Sequence, residues 1–584
     1  MKRNSKNKGL IPRVLRLVLR KKGLIAASLL FSLGYVVLTL AVPVLTGNAI
    51  DRMIGAGQVD FAQIGKLLIQ ILLLVGAAAL LQWGMNTVNN RIAFAVVRDL
   101  RYQAFDHVTR LPLWYLDRHP TGELLSRMIT DAEQLSDGLN MTLSQLFPGI
   151  VTLVASLIFM LTISPAITAV VFVLTPLSLL LARFVASRTF KMFARQSEVR
   201  GQLTAYTNEM LGGLYTIKAF DREQQTAKEF DAINRELEGV SLRATFFSSL
   251  TNPTTRFMYA VIYAIVAVIG CFSTIAGGIT VGGLSAFLSY TNQYTKPFNE
   301  ITAVITELQN AFASAARIFD LLDTPALQQE SAQLTDVQGA VEFENVAFSY
   351  DPEKPLLRDI DLKIKPGQRI AIVGPTGCGK TTLINLLMRF YEVDDGVIRV
   401  DGTDITAVSR KSLRRNFGMV LQETWLRSGT IRQNIAYGKP DATDEEIVAA
   451  AKAAHAHSFI CRLPDGYDTV LGEDGGALSL GQKQLLCIAR VMLCLPPMLL
   501  LDEATSSIDA MTELRIQQAF DQMMRSRTSF VVAHRLSTIR NADVILVMQD
   551  GRIVEQGNHD TLLAQNGLYR ELYQSQFAIA QEKL

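Results

Sequence analysis

Along the chain, hydrophobic positions come first as long unbroken runs and later as short, interrupted ones. Gly23–Ala49 is a 27-residue stretch without a charged side chain; Leu67–Asn90 is one of 24, Gly138–Ala182 one of 45 and Phe257–Thr295 one of 39. About 20 helical residues cross about 30 Å of hydrocarbon, so the first two runs predict one membrane-spanning helix each and the last two a pair each. Ser164-Pro165 marks the turn within the third run, and Gly277-Gly278 with Gly282-Gly283 the turn within the fourth. The expected helices cover 23–49, 67–90, 141–163, 166–186, 255–275 and 284–308. After Asp323-Thr324-Pro325 the texture changes to short β-branched runs, glycine turns and amphipathic helices, which predicts a soluble α/β domain.

Charge adds orientation. Residues 1–22 hold nine Lys/Arg and no acid, the stretch 91–137 holds six Lys/Arg and 183–243 holds ten, whereas the turns near Pro165 and Gly278 hold none. The excess of positive charge on cytoplasmic segments puts both long connections, both termini and the α/β domain in the cytoplasm. The first run is too long for a signal-peptide core and reads as the first span. With 49% hydrophobic and 19% charged residues, against about 25% charge in an average soluble protein, the composition excludes a disordered, collagen-like or disulfide-framework chain. Cys271, Cys378, Cys461, Cys487 and Cys494 are odd in number and read as thiols of a reducing compartment. The expected organisation is a basic N-terminus over 1–22, an all-α six-helix transmembrane domain over 23–320, a linker over 321–340, an α/β domain over 341–576 and a tail over 577–584.

Ionisable residues are scarce inside the spans. Lys296 and Glu300, one turn apart on the last span, either face the bundle interior or snorkel together at the inner interface. Trp83, Asn86 and Asn90, with Tyr290 and Tyr294, either line a cavity or serve as packing contacts between helices.

The strongest local chemistry follows the buried-strand pattern Arg369–Val373. There Gly374-Pro-Thr-Gly377-Cys-Gly379-Lys380-Thr381-Thr382 leads into an apolar helix, the strand–loop–helix context of a phosphate-binding P-loop. Lys380 is expected on the β- and γ-phosphates and Thr381 on Mg²⁺, with the loop N–H groups around the phosphate oxygens. The apolar strand Met498–Leu501 ends in Asp502 and Glu503, suited to the Mg²⁺ shell and to orienting the attacking water.

From Leu478-Ser479-Leu480-Gly481-Gln482 to Asp502-Glu503-Ala-Thr-Ser-Ser-Ile-Asp509, the sequence resembles the signature, Walker B and D-loop of an ATP-binding cassette (ABC) domain, a P-loop NTPase fold. The resemblance implies ATP and Mg²⁺ as cofactors. It implies Tyr350 against adenine, Gln422 on the metal and as the link from γ-phosphate to the membrane half, and His534 on the γ-phosphate. With Glu503, Gln422 and His534 form the implied catalytic set, and Ser479, Gly481, Gln482 and Asp509 the implied contacts to a nucleotide shared between two chains. Six spans followed by one cassette resemble a half-transporter of the exporter type. Tyr115–Arg127 and Asn208–Gly213 resemble its two coupling segments.

One cassette cannot close a shared site, so the resemblance implies a second half-transporter as partner. The usual third signature residue is glycine and here it is Leu480, while Glu503, His534 and Gln422 are all kept. That mixture resembles the competent chain of a heterodimer whose partner carries a degenerate site; a homodimer tolerating leucine is the other reading. The expected function is an ATP-hydrolysing exporter of hydrophobic or amphipathic compounds, drugs or lipids, out of the cytoplasm or inner leaflet of a bacterial inner membrane. A lipid flippase and an importer of siderophore-like cargo are the alternatives. Six spans exclude a soluble cassette ATPase acting on nucleic acid, and Glu503 and His534 disfavour a hydrolysis-free channel or receptor. Only about 22 residues precede the first span, so neither a processing protease domain nor an organellar presequence is expected.

Overall fold

The computed structural model describes residues 9–53, 59–327, 332–421, 424–472, 475–476, 478–502, 508–533 and 536–574. It divides into two compact units, one of residues 1–109 and 121–324, the other of 110–120 and 325–584.

The first unit is all helix. Its long members are Lys22–Asp51, Phe61–Val108, Phe147–Ile163, Pro165–Gly212, Thr251–Ile275 and Val281–Leu322. Among the described residues, four helical stretches are long and apolar enough to cross a membrane: Lys22–Asp51, Phe61–Val108, Thr121–Ile163 and Arg256–Ile275. The apolar Pro165–Pro176 helix is shorter. Phe61–Val108 and Pro165–Gly212 run for 48 residues each, about 72 Å at 1.5 Å per residue. They therefore extend well beyond a bilayer core.

Local chemistry sets the turns. Ser164 accepts from the Ile167 amide and Pro165 takes the first helical position, where its missing N–H costs nothing. Between Ile275 and Val281 the helix is interrupted, and Thr280 caps the new helix by accepting from Gly283 N at 2.9 Å. Asp51 accepts from the Thr280 hydroxyl and the Gly282 amide at 2.7 Å each, placing a carboxylate at that helix N-terminus.

Helix pairing follows the apolar and small-residue faces. Ser28, Ser32, Val36, Leu40, Pro43 and Gly47 form the buried stripe of Lys22–Asp51. Leu29, Leu30, Leu33, Val37 and Val44 of the same helix are exposed. Away from the apolar centre, Arg317 binds Asp131 through Nε at 2.9 Å and through a second, shorter contact, tying Thr130–Met141 to the last long helix. Amphipathic Leu10–Leu19 buries Leu10, Val14 and Val18 and is anchored by Arg13, which donates to Asp323 at 2.6 Å.

The second unit carries two principal sheets. The larger has the order Arg552–Gly557, Val544–Gln549, Arg369–Val373, Thr528–Val532, Met498–Asp502, Phe417–Val420. All neighbours in it pair in parallel except the first two. Its central strands are continuous apolar runs, as expected for a sheet covered on both faces. The smaller sheet is antiparallel and pairs Val341–Phe348 with Leu357–Ile364 on one side and Asp395–Val400 on the other. One apolar cluster joins the two sheets through Phe343, Ile370, Leu386 and Phe530. A second, built on Leu485, Leu486, Ile488, Ile516 and Phe520, supports the helices beyond the sheet's other face.

Candidate functional site

Strand Arg369–Val373 is buried in four of its five residues and ends at the P-loop. The loop turns through Gly374 (φ 153°) and Gly379 (φ 101°) into helix Lys380–Leu387. A Cβ on Gly374 would run into the Met548 carbonyl oxygen, and one on Gly379 would meet Leu357 at 2.5 Å. Only glycine fits either place. Lys380 Nζ donates to the carbonyls of Gly374 and Pro375 at 2.9 Å each, so the ammonium sits across the loop mouth. Gly377 stands exposed on the loop, Thr381 is exposed in the helix's first turn, and Thr382 is buried behind it. Fixed amide donors at a helix start, with a lysine beside them, fit a polyphosphate. Burial pushes the Cys378 thiol up, against the opposing pull of Lys380, so the loop's own sulfur adds no negative charge.

Tyr350 is half-exposed beside this loop. Its hydroxyl donates to Thr382 Oγ1 at 3.3 Å and accepts from Asn385 Nδ2 at 3.4 Å. Its ring stands edge-on to Phe348 (4.9 Å) and Tyr391 (5.0 Å). Residues 110–120, from the first long connection, belong to this same unit. Arg118 Nη2 donates to the Tyr350 carbonyl at 3.2 Å, and the Tyr391 hydroxyl donates to Asp117. Burial first, and the Asp117 carboxylate second, push the Tyr391 phenol up. Trp114, Arg118, Pro325, Tyr350 and Tyr391 are among the residues lining the adjoining cavity of about 810 Å³.

Strand register places Asp502. Val532 pairs with Ile372 on one side and with Asp502 on the other. Asp502 therefore lies at the same carboxyl edge as the P-loop, about 10 Å across it at two strand spacings. Ligands of open parallel sheets bind at this edge. Gln422, Glu503 and His534 lie outside the described residues.

The signature segment is built differently. Ser479 caps helix Leu480–Cys494: its Oγ accepts from Gln482 N at 3.3 Å, and Gln482 Oε1 accepts from Ser479 N at 2.9 Å. This reciprocal capping box occupies both polar side chains with their own helix end. Gly481 is buried, whereas Leu480 is 43% exposed at the first helical position. The helix packs in the second apolar cluster, away from the P-loop helix in the first. Among the described residues, no hydrogen bond joins Ser479, Gly481 or Gln482 to Gly374–Thr382. Asp509 caps helix Ala510–Met524, accepting from Thr512 N at 2.9 Å. Those hydrogen bonds hold its carboxyl below the usual range.

In the helical unit Asn86 lines a cleft and Lys296 meets Glu300 at 3.7 Å. Tyr290 is instead packed away, donating to the Leu40 carbonyl at 2.5 Å and stacking on Phe159. Tyr294 is buried against Phe298, and Trp83 and Asn90 point outward. Sequence reasoning missed Asn385, Tyr391 and the pairing of Asp117 and Arg118 with the Tyr350 region. Segment Tyr115–Arg127 was legible as a unit, but no local pattern says which of its side chains meet Tyr350 and Tyr391.

Comparison with known proteins finds two family matches along the chain. Residues 25–298 match the ABC transporter transmembrane region family, and residues 357–506 match the ABC transporter family. A fatty acid ABC transporter ATP-binding/permease protein of Mycobacterium bovis is 46% identical over 515 residues, covering 88% of this chain and 82% of the relative. An ATP-dependent lipid A-core flippase of Syntrophus aciditrophicus is 37% identical over 485 residues, 82% of this chain and 80% of the relative. The solved structure of a bacterial Atm1-family ABC exporter with ATP bound superposes with a TM-score of 0.79 at 30% identity, covering 96% of this chain and 98% of that one.

Proposed function

This chain belongs to the ABC transporter family as a half-transporter of the exporter type, an ATPase coupled to membrane transport, and from that premise we propose the cargo, partner and site roles. The cargo is a lipid or lipid-like amphiphile, moved outward from the cytoplasm or inner leaflet of a bacterial inner membrane, with the cassette in the cytoplasm. Relatives named for a fatty acid and for lipid A-core support that class, as does the scarcity of fixed charge within the apolar helices.

The observation that carries the reading is the P-loop: glycine-only turns with Lys380 held across the mouth by two carbonyls. ATP phosphates entering the loop would replace those carbonyls as partners of Lys380. Tyr350 would turn its exposed face to adenine. Thr381 and Asp502, with Gln422, would hold Mg²⁺. Bound there, the metal would neutralise charge on the β- and γ-phosphate oxygens. Glu503 would orient the attacking water, and His534 would donate to the γ-phosphate.

The separation of the signature helix from the P-loop within one chain supports a two-chain site. Ser479 and Gly481 of one subunit would close over the nucleotide of the other. Closure follows only because the γ-phosphate is contacted by both cassettes in the closed state and by one in the open state. With Leu480 in the signature and Glu503 kept, the partner is a different half-transporter bearing a degenerate site. Co-purification of the native complex, followed by lipid transport in proteoliposomes, tests all of this. Outward ATP-dependent movement of a lipid is expected; ATP turnover without movement of any amphiphile would overturn the cargo class.

A further inference from the structure

The helical unit holds a cleft with two chambers that share Tyr35, Thr39, Gln82 and Gln293. One, of about 350 Å³, is polar, with Gln82, Asn86, Gln145, Gln293, Lys296 and Glu300 in its wall. The other, of about 410 Å³, runs along Val42, Pro43, Val75, Ala78 and Ala79. Volumes of this size suit small ligands. The step from an amide-rich lining to a more aliphatic one, in which Thr46 and Ser289 are the added polar residues, suits a molecule polar mainly at one end.

Three features of the polar chamber specify the head group. Lys296 Nζ lies 3.7 Å from Glu300, inside ion-pair range but beyond a good hydrogen bond, and the lysine side chain is 77% exposed. Each member therefore keeps capacity for another partner of opposite charge. Gln293 Oε1 is fully buried and, among the described residues, has no donor, a costly arrangement unless something supplies one. Pro297 sits four residues after Gln293 inside the same helix. Having no N–H, it leaves the Gln293 carbonyl without its helical donor. The chamber thus presents the unpartnered Gln293 side-chain oxygen and the Glu300 carboxylate as acceptors, beside the Lys296 ammonium.

We propose that this cleft binds a single-chain amphiphile with a zwitterionic head. The cationic group is taken by Gln293 and Glu300, the anionic group by Lys296, and the chain lies along Val42, Val75 and Ala79. A purely anionic head would satisfy Lys296 but face Glu300 and leave Gln293 unpaired. A purely cationic head would leave Lys296 unmatched. The proposal rests on the reading of this chain as an amphiphile exporter and narrows its cargo. Lys296 lies 15 residues beyond Val281, about 22 Å along the helix. In the orientation proposed above, the head therefore sits toward the cytoplasmic side of the bilayer and the chain points to its middle.

The test uses the full chain with whatever subunit co-purifies, in nanodiscs. Binding of 1-palmitoyl-lysophosphatidylethanolamine is compared with that of palmitate and of hexadecylammonium, whose head keeps the N–H donors. The zwitterion is expected to bind at least about tenfold more tightly than either, a difference of about 1.4 kcal/mol. Lys296→Ala is expected to erase its advantage over the cation, and Glu300→Gln its advantage over palmitate, with thermal unfolding unchanged as the check on folding. Gln293→Leu should weaken the zwitterion most. Equal binding of the three probes, or a preference that survives all three substitutions, overturns the zwitterion site while leaving amphiphile export intact. Binding of none of them, together with no amphiphile transported, overturns both.

Discussion

Lys380 carries the clearest conflict between local and functional partners. Its ammonium is satisfied by two loop carbonyls at 2.9 Å, so the proposed phosphate binding would be an exchange of partners in which the charged acceptor is the stronger one. Lys380→Ala should therefore abolish ATP binding while leaving the sheet intact. Glu503, proposed to orient the attacking water, would act later in the cycle, and Glu503→Gln keeps its size but not its charge. Turnover should fall about 100-fold or more, with ATP still bound and the cassettes held closed. ATP retention after gel filtration, together with phosphate release, separates these outcomes. A Glu503→Gln protein that hydrolyses at the wild-type rate would move the water-orienting role to another residue. Leu480 is informative in the opposite way. It is exposed at a helix start, so Leu480→Gly should cost stability by no more than about 1 kcal/mol. In a heterodimer this signature closes over the degenerate site and turnover should hardly change. A severalfold rise would point to a homodimer with leucine in both sites.

At the scale of elements, helix ends and docking faces determine what can be switched. The paired C-terminal helices His559–Gln565 and Leu568–Tyr573 are joined by a 2.7 Å hydrogen bond between His559 Nδ1 and the Tyr569 hydroxyl. Burial, then the nearby Arg540 charge, holds the imidazole below its ordinary 6.5, and burial lifts Tyr569 to about 12. A depressed folded value means the unfolded chain binds the proton first. The contribution is therefore present above the ordinary value and is lost as pH falls through the folded one. Thermal unfolding should show a loss of stability between about pH 7 and pH 5 that His559→Gln removes; an unchanged pH profile in that variant would assign the loss elsewhere. What was legible in the sequence divides along the same lines. Uncharged runs and the P-loop spacing report constraints that act within one segment, the cost of charge in lipid and the geometry of phosphate binding, and the fold class followed from them. Pairings between distant segments leave no such trace. Tyr290 and Asn86 look equally suited to a cavity in sequence, yet helix rotation buries one against Leu40 and turns the other into the cleft. The π-helical turn Thr142–Leu146 ahead of Pro148 likewise has no reading from periodicity.

At the scale of the whole molecule, the chain is half of a machine. In the proposed reading its P-loop, Asp502 and Tyr350 form one face of a nucleotide site, while the capped signature helix packs in another apolar cluster. Under that proposal two chains bring the unlike faces together, and the force between them would come from a phosphate that both touch. If the partner is a different half-transporter with a replaced catalytic acid, the lone chain can meet only its own Leu480-bearing signature. Purified alone, it should hydrolyse ATP at about a tenth of the complex's rate or less, the loss expected when a donor to the transition state is misplaced. Adding the partner subunit should restore turnover, and vanadate should trap nucleotide at the site whose P-loop holds Lys380. Robust vanadate-sensitive hydrolysis by the isolated chain would show instead that Leu480 is tolerated opposite a competent site. The dimer would then be symmetric, both of its sites firing with the same residues.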